Sequence, residues 1–302
     1  MHTDKVRFEK PDITTLRKTH TVVDLHFHSK HSDGINTITS IAERARKLGI
    51  GIAITDHNAI KGALEIDRFK SILSIPGIEV TSREGTHVLI YFYDTQSLKL
   101  FYMTYIVPNL GNDVMSSTKL PLEDVIRYAR KFKTVIIFPH PYAAGYTGIC
   151  NSPIPEEARE QLFSKVHGTE ALNAENLHRW NLRSTILGFN LGKSMIGGSD
   201  GHTLYHMGKV VTCFSCKPNR KAILDAIVKN KTVIIGKEID MLRKATSNSF
   251  KMRMNIKNYP ELIEKNIKYS YTILNNRTRN LRRKVGTRLQ SFRTRKKLST
   301  NK

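Results

Sequence analysis

A histidine-rich stretch, DLHFHSKHSDG, occupies residues 24–34 and follows the apolar run TVV. It holds three histidines, two aspartates and a glycine. Imidazole nitrogens and carboxylate oxygens bind divalent metal ions, and imidazoles also transfer protons near neutral pH. Since His26 and His28 are separated by one residue, both side chains point to the same side of a strand. The stretch therefore predicts a metal-binding or acid–base site at the end of a buried strand.

Side chains with the same chemistry recur along the chain, and nearly all of them fall where an apolar, strand-like run ends. They occur in ITDHN, GIEV, FPHP and SDGH, whereas His87 begins the run HVLIYFY. The carboxyl ends of parallel strands in an α/β barrel converge on one face, where active sites are built. We therefore expect these side chains to meet at one mouth. They are His26, His28, Asp33, Asp56, His57, Glu79, His87, His140, Asp200 and His202.

The donor types indicate which ions would bind. Histidine nitrogens and carboxylate oxygens without thiolates suit Zn²⁺, Mn²⁺ or Fe²⁺ in a reactive site better than a closed structural zinc site. These donors are too many for one tetrahedral ion, so the pattern predicts two or three divalent ions that share bridging carboxylates. Paired ions about 3.5–4 Å apart can hold a hydroxide and a phosphoryl oxygen together.

The elements that position these residues alternate between strand and helix. This repetition is typical of a parallel sheet with crossover helices, and about seven such units favour a closed α/β barrel over an open sheet. HVLIYFY follows GIEV too closely for a crossover helix, so we expect an antiparallel pair there. The helical segments begin with SIAERARKLG and AIKGALEIDRFKSIL. The strand-like runs are TVVDLHF, GIAIT, GIEV, HVLIYFY, TVIIFP, TEALN, SMIGG and KVVTCF.

The chain divides into a globular body and a basic end. Its 302 residues carry a net charge of +23, of which +16 falls in residues 241–302. We predict an N-terminal extension over residues 1–19, an α/β domain over 20–238 with an insertion or lid at 95–119, and a basic tail over 239–302 that is partly helical or disordered. Such a tail either binds a polyanion, such as nucleic acid or an anionic membrane surface, or stays solvated and binds nothing.

The composition disfavours several classes of protein. We find no run of about 18 apolar residues that would predict a membrane span, and the first residues lack the apolar centre of a secretory signal. Three cysteines do not make a disulfide framework, so a cytoplasmic protein is expected. Cys213 and Cys216 form a lone C-x-x-C in a strand-like run, which indicates strand cysteines rather than a zinc ribbon or redox pair. The absence of G-x-S-x-G disfavours a serine hydrolase.

Together these motifs resemble the PHP (polymerase and histidinol phosphatase) family. HFHSKHSDG, ITDHN, GIEV, the histidine of THVLIYF, FPHP and SDGH follow one another in the family's order from residue 20 to about residue 238. Each motif alone is weak, but their joint occurrence in order is specific. The resemblance implies an α/β fold of the distorted seven-stranded, TIM-like barrel type. It also implies two or three divalent metal ions and hydrolysis of a phosphoester by a metal-bridging hydroxide.

Carried over residue by residue, the resemblance implies a full set of metal ligands. Asp33 stands where some histidinol phosphatases have histidine, and this S-D-G version resembles the branch of nucleoside-bisphosphate phosphatases and 5′-to-3′ exonucleases that act on short RNA or DNA. Asp56 is expected to orient His57 or a neighbour, or to cap the next helix. Glu170 also ends a strand but is left outside the set. The implied ligands are His26, His28, Asp33, His57, Glu79, His87, His140, Asp200 and His202.

A few residues are expected to act on the substrate. The catalytic residues are expected among the ligands and are His140, His202 and Asp200. Either histidine would protonate the leaving oxygen, although a histidine that binds a metal is poorly suited to that task. Lys30 and Arg83 are candidates for binding a second phosphate, and Tyr142 for stacking on a base. Ordinary surface charge and loop packing are the alternative interpretations of these three side chains.

Four functions remain open on the sequence. The first is a small-molecule phosphatase, acting on a nucleotide or on a metabolite as histidinol phosphatases do. The second is a nuclease that trims short oligonucleotides, with the basic tail holding the strand. The third is a metal-binding scaffold or nucleic-acid-associated accessory protein without turnover, and the fourth is an amidohydrolase, which fits ITDHN and Glu79 less well. Because the ligand set is complete, we expect an enzyme that hydrolyses phosphoric esters.

Overall fold

The chain folds around one mixed β-sheet. The structure, a computed structural model, describes residues 5–143 and 146–240, all of which belong to one compact unit. The strands of the described residues are β1 (Val6–Phe8), β2 (Thr21–Phe27), β3 (Gly51–Ile54), β4 (Ser74–Thr81), β5 (His87–Phe92), β6 (Thr134–Phe138), β7 (Gly168–Asn173), β8 (Ser194–Gly198), β9 (Val210–Phe214) and β10 (Val233–Gly236). They form a single sheet in the order β1-β10-β9-β2-β3-β4-β5-β6-β7-β8.

Helices connect most of these strands. Those of the described residues are α1 (Ile13–Leu16), α2 (Ile38–Leu48), α3 (Lys61–Ile66), α4 (Thr95–Phe101), α5 (Leu122–Ala129), α6 (Glu156–Lys165), α7 (His178–Leu191) and α8 (Arg220–Val228). The local sequence sets both ends of α2. The Thr37 side chain caps its first turn, and Gly49, with φ 67°, ends the helix. Ile41 and Ala45 of the same helix are buried against the sheet.

Most neighbouring strands between β2 and β8 are parallel, as the repetition of strand and helix predicts. β5 is antiparallel to both β4 and β6, which confirms the antiparallel pair expected for HVLIYFY. The chain that leaves β8 returns to β2, where the His28 amide donates to the Gly201 carbonyl (2.9 Å) and the Gly201 amide donates to the His26 carbonyl (3.3 Å). The sheet therefore curls until the exit of β8 meets the exit of β2.

The number of strands differs from the expected seven. A mixed α/β fold is confirmed, but the described sheet has ten strands. β9 lies antiparallel beside β2, β10 lies antiparallel beside β9, and β1 pairs with β10 at the edge. β1 and β10 contain three and four residues, too few to show an alternating pattern in the sequence. β1 comes from the segment expected to be an N-terminal extension.

The segment AIKGALEIDRFKSIL also folds differently from the expectation. Its periodicity predicts one helix, but α3 ends at Ile66 and β4 begins at Ser74, before the GIEV run. Ser74, Ile75 and Pro76 pair in parallel with β3. After α3 the rest of the segment, residues 67–73, forms turns, and at its last residue the Leu73 carbonyl already accepts from the Ile52 amide of β3 (2.9 Å). A contact with a strand distant in the sequence thus ends the local helical pattern.

Two further expectations concern the predicted insertion and the predicted tail. The predicted insertion or lid runs from α4 through a π-helical turn (Tyr102–Ile106) and a 3₁₀ turn (Val107–Asn109) into a loop. Of the predicted partly helical or disordered tail, residues 239–302, all but the first two residues lie outside the described residues. Within the described ranges, every helix is too short or too polar to span a lipid bilayer.

Apolar side chains from opposite strands fill the space inside the curl. Val23, Leu25, Leu89 and Ile137 belong to one buried cluster that α8 also joins. Tyr91 also belongs to this cluster. Its ring is fully buried, and its hydroxyl donates a hydrogen bond to the Leu25 carbonyl (2.8 Å). The bond connects β5 to β2 through the interior and stabilises the curl.

Replacing Tyr91 by phenylalanine should lower the free energy of unfolding by about 1–2 kcal/mol, because the Leu25 carbonyl loses its donor while the ring stays packed. Urea unfolding followed by circular dichroism measures the change. Tyr128→Phe is the matched control, since Tyr128 is half-buried and its hydroxyl accepts from the exposed Arg127 (3.3 Å). A Tyr91→Phe variant as stable as the unmodified protein would contradict this role.

Candidate metal centre

The predicted ligands converge on the carboxylate of Glu79, at the mouth of the curl. Glu79 Oε1 lies 2.9 Å from His87 Nδ1 and 3.2 Å from His140 Nε2. The other oxygen, Oε2, lies 3.3 Å from a ring nitrogen of each of three more histidines, His26, His28 and His57. One fully buried carboxylate thus contacts five imidazoles that come from four different strand ends.

Two aspartates complete the cluster. His202 Nε2 lies 2.9 Å from Asp33 Oδ2, and His28 Nε2 lies 3.1 Å from Asp200 Oδ1. Four overlapping groups of these side chains each hold their ligand atoms within 4.8 Å of one another. Overlapping groups that share members are suited to neighbouring ions that share ligands. The groups contain His26, His28, Asp33, His57, Glu79, His87, His140, Asp200 and His202.

A β-bulge in β2 turns the first two histidines toward the site. The Leu25 side chain points into the curl, where it joins the buried apolar cluster. If side chains alternated strictly along β2, the next side chain, that of His26, would point out of the curl. The register between β2 and β3 shifts between Asp24 and Phe27, where β2 has one residue more than β3. An extra residue of this kind reverses the sides to which the following side chains point. The side chains of His26 and His28 therefore both point toward the Glu79 carboxylate and the other candidate ligands.

Three residues at the mouth have left-handed backbone conformations, which favour glycine. Asn58, His140 and Asp200 have φ values of 45°, 29° and 50°. Each such conformation costs about 1–3 kcal/mol and persists only where the surroundings fix it. For His140 the backbone amide donates to the Glu170 carboxylate (2.9 Å), which holds the strained residue in place. The strain is concentrated where His140 and Asp200 enter the cluster.

Asn58 fixes the loop of the predicted insertion beside the site. Its side-chain amide donates to the carbonyls of Val114 (2.8 Å) and Ser116 (2.9 Å), and its side-chain oxygen accepts from the Thr81 amide (2.9 Å). The Thr118 amide also donates to the Thr81 carbonyl (2.9 Å). These bonds hold the loop against the end of β4, the strand that carries Glu79.

Glu170, which the sequence interpretation left outside the ligand set, lies behind the histidines. One of its oxygens lies 3.0 Å from His26 Nδ1, and the other accepts from the His140 amide and from the Asn173 side chain, both at 2.9 Å. A carboxylate that accepts from Nδ1 fixes the ring orientation and leaves Nε2 free for a metal. A second register shift in β7 lies between Glu170 and Leu172, next to the site. The sequence interpretation places Glu170 at a strand end, but it is the third residue of β7, and the signal in the sequence was only a carboxylate within the strand-like run TEALN.

Asp56 supports a loop. Its oxygens accept from the Ser29 amide (2.7 Å), the Ser29 hydroxyl (2.7 Å) and the Ser32 hydroxyl (2.8 Å). Burial raises the pKa of Asp56, while the bonds from Ser29 lower it. The carboxyl group thereby holds the loop between His28 and Asp33, and so places the Asp33 side chain.

Asp24 is a second support that the sequence interpretation did not single out. Its side-chain oxygens accept from the backbone amides of Ser199 (2.9 Å) and Gly208 (3.0 Å). Burial raises its pKa to about 6, although the bonds from Gly208 and Ser199 lower it. Asp24 thus ties β2 to the segment that carries Asp200 and His202.

Burial and charge act against each other on the ligand side chains. Burial alone would raise the pKa of Glu79, but the surrounding imidazoles, His57 foremost, hold it well below its usual value. Burial would lower the pKa of His26, whereas the neighbouring carboxylates, Asp200 foremost, raise it well above the usual value. For His57 burial dominates and lowers the pKa to about 3. The cluster therefore keeps its carboxylates ionised and requires positive charge among them.

The donor set fits divalent metal ions as the source of that charge. Six imidazoles and three carboxylates face one another without a thiolate. Among the ion pairs of residues 5–143 and 146–240, those carboxylates pair with histidines and with no lysine or arginine. Neutral imidazole and ionised carboxylate are the forms that bind Zn²⁺, Mn²⁺ or Fe²⁺.

The three residues expected to bind substrate lie in the segments that follow β2, β4 and β6. Lys30 is exposed in the loop after β2. Arg83 is exposed and lies 3.6 Å from Glu84, while Tyr142 is half-buried beneath the guanidinium of Arg183, 4.0 Å from its ring centre. Their contacts with a substrate stay a prediction.

Glu79→Gln should abolish stoichiometric binding of Mn²⁺ or Zn²⁺, because the shared negative charge is lost from the centre of the cluster. Glu170→Gln should weaken metal affinity by about 10–100-fold, because it only orients His26. Elemental analysis and competition with a chelator measure both. Glu65→Gln is the control, since Glu65 is half-buried and pairs with His31 (3.1 Å). Unchanged metal content in Glu79→Gln would rule out the site.

Known proteins resemble the chain in sequence or in fold. An uncharacterised protein of Methanocaldococcus jannaschii is 26% identical over 167 residues, which is 50% of this chain and 81% of that protein. A two-domain protein from Bacteroides vulgatus, containing a predicted PHP-like metal-dependent phosphoesterase, matches with a TM-score of 0.53 at 19% identity, over 79% of this chain and 72% of that chain. A lesion-specific endonuclease from Pyrococcus furiosus matches with a TM-score of 0.58 at 15% identity, over 71% of this chain and 57% of that chain. The two structural matches show a shared fold.

Two family models match consecutive parts of the chain. The PHP domain model matches residues 24–135, and the PHP-associated model matches residues 178–232. The first range contains the ligand candidates from His26 to His87, and the second contains Asp200 and His202. The two matches, the order of the motifs and the convergence of their side chains agree, and we conclude that this chain contains a PHP domain over residues 24–135 followed by a PHP-associated segment over residues 178–232.

Proposed function

We propose that this protein is a metal-dependent phosphoesterase that hydrolyses a phosphomonoester or phosphodiester, with a nucleotide or short oligonucleotide as substrate. The contact of the Glu79 carboxylate with five imidazoles is the observation that carries the proposal. Two or three divalent ions would be held by the nine side chains that converge there. When bound, such ions polarise a phosphoryl oxygen and lower the pKa of a water molecule toward neutrality.

The histidines of the site are held in defined tautomers. His202 Nδ1 lies 2.7 Å from the backbone carbonyl of Asp200, and since a carbonyl only accepts, Nδ1 carries the proton. His202 Nε2, which lies 2.9 Å from Asp33 Oδ2, is then the ring nitrogen that would bind an ion together with that oxygen. The Glu170 carboxylate in the same way holds a proton on His26 Nδ1. These two rings are therefore prepared to bind ions, and delivering a proton to a leaving group is not their role.

The exposure of the side chains indicates where the substrate enters. The side chain of Asp200 is 17% exposed, whereas those of Glu79 and His26 are 1% and 0% exposed. Glu79 and His26 form the floor of the site, and Asp200 lies where the site opens. We assign Asp200, with His140 beside the Glu79 carboxylate, to the side that borders the reacting phosphoryl group. Charges on this buried floor act more strongly than they would in water.

Two features favour a nucleotide or oligonucleotide over another phosphorylated metabolite. The basic end of the chain carries +16 of the net charge, which favours a polyanion. The endonuclease from Pyrococcus furiosus shares the fold. Lys30 and Arg83 would hold a second phosphate, and Tyr142 would stack on a base.

Purified protein supplied with Mn²⁺ should hydrolyse p-nitrophenyl phosphate, and EDTA should abolish the turnover until metal is restored. Glu79→Gln should reduce the rate to that of the buffer, whereas Glu65→Gln should keep it. A nucleoside 3′,5′-bisphosphate and a 5′-phosphorylated oligonucleotide, compared by kcat/KM, distinguish the phosphatase from the nuclease. Bound metal without turnover on any of these substrates would favour the scaffold interpretation and refute the proposal.

Removal of residues 241–302 should weaken oligonucleotide binding and make it less dependent on salt, because each lost contact with a phosphate reduces the salt slope by about one. Fluorescence anisotropy at several salt concentrations measures both effects. Hydrolysis of p-nitrophenyl phosphate serves as the control and should not change, since the ligands all lie before residue 241. An unchanged affinity and slope would show that the tail does not bind the strand.

A further inference from the structure

A cavity of about 490 Å³ lies at the end of the sheet opposite the candidate metal centre. Its walls include Thr21 and Val22, which begin β2, and Gly51, which begins β3. His26 and His28 lie at the other end of β2. Because β2 has seven residues and a strand rises about 3.3 Å per residue, the two sites are about 20 Å apart. The cavity is therefore separate from the metal ligands.

The cavity is positively charged. Arg17, His20 and Arg46 line it, and its lining contains no aspartate or glutamate. Arg17 donates one hydrogen bond to the Leu48 carbonyl (3.1 Å), which fixes the guanidinium without neutralising it. Neither arginine has an acidic partner among the ion pairs of the described residues, unlike Arg127, which pairs with Asp124.

The acidic side chain of the adjoining turn, Asp67, is already paired. Asp67 pairs with Arg220 and also accepts from the Ser74 hydroxyl (2.9 Å). The residues that follow Asp67 in this turn, from Ser71 to Leu73, form one wall of the cavity. The charge of Arg17 and Arg46 is thus left available to a ligand.

The remaining walls are largely apolar. They include Val22, Ala45, Ile50, Ile72 and Leu73. Binding pockets for small molecules measure about 300–1,000 Å³ and combine apolar walls with a few polar groups that fix the orientation of the ligand. This cavity has the size and the composition for a ligand that combines an apolar ring with an anionic group.

We propose that this cavity binds a small organic phosphate with an apolar ring, of the size of a nucleoside monophosphate. The guanidinium groups of Arg17 and Arg46 hold the phosphate, since planar guanidinium pairs with phosphate through two hydrogen bonds. The ring lies against Val22, Ile50 and Ile72. The site is independent of the metal centre and does not rest on the proposed hydrolysis.

The test is titration of the full-length protein with AMP in EDTA, which removes metal ions from the other site. Calorimetry measures the dissociation constant. The double variant Arg17→Gln/Arg46→Gln should bind AMP at least about tenfold more weakly, because it loses charge-assisted hydrogen bonds to the phosphate. Lys18→Gln/Lys47→Gln is the matched control, since both lysines are exposed next to these arginines and lie outside the lining. The control should bind AMP as the unmodified protein does.

Adenosine and inorganic phosphate test the two halves of the ligand. Each should bind more weakly than AMP, because each occupies only one part of the cavity. Arg46→Gln alone provides a second variant, since Arg46 is exposed and its loss leaves the Arg17 bond to Leu48 intact. Absence of saturable AMP binding, or equal affinity of the arginine and lysine double variants, would overturn the proposal. Adenosine binding as tight as that of AMP would overturn it as well.

Discussion

The structure depends on how the buried negative charge of the Glu79 carboxylate is balanced by the imidazoles around it. Glu79 is fully buried, and an ionised carboxylate taken out of water costs several kcal/mol, about 20 in the idealised limit, unless opposite charge surrounds it. Five imidazoles come within 3.3 Å of its two oxygens. They come from four strand ends, so the compensation exists only when the sheet has curled. Folding and assembly of the site are therefore one event.

Buried carboxylates outside the candidate ligand groups hold this arrangement in place. Asp24 ties β2 to the chain after β8, Asp56 holds the loop that carries Asp33, and Glu170 orients His26 and fixes the strained backbone of His140. Each is satisfied by backbone amides, hydroxyls or a ring nitrogen. Buried polar groups that are fully hydrogen-bonded make a site rigid. The cluster can therefore keep like charges close together before any ion binds.

The two ends of the curl have opposite chemistry. At the carboxyl ends of the strands, acidic and imidazole groups are suited to cations, and at the start of β2 and β3 two arginines surround a cavity without acidic residues. The apolar interior around Tyr91 lies between them. Because this apolar interior is about a strand in length, each end can keep its own charge.

The sequence by itself determined the chemistry, the order of the strands with long apolar runs and the face on which the ligand candidates meet. Some properties are local and could be predicted from the sequence alone. They are the side-chain types, their positions at strand ends and the antiparallel turn before HVLIYFY. Only the tertiary structure decided the bulge that turns His26 inward, the extra strands β1 and β10, the early start of β4 and the role of Glu170. Those features depend on register and hydrogen bonds between residues far apart in the chain, which no local pattern specifies.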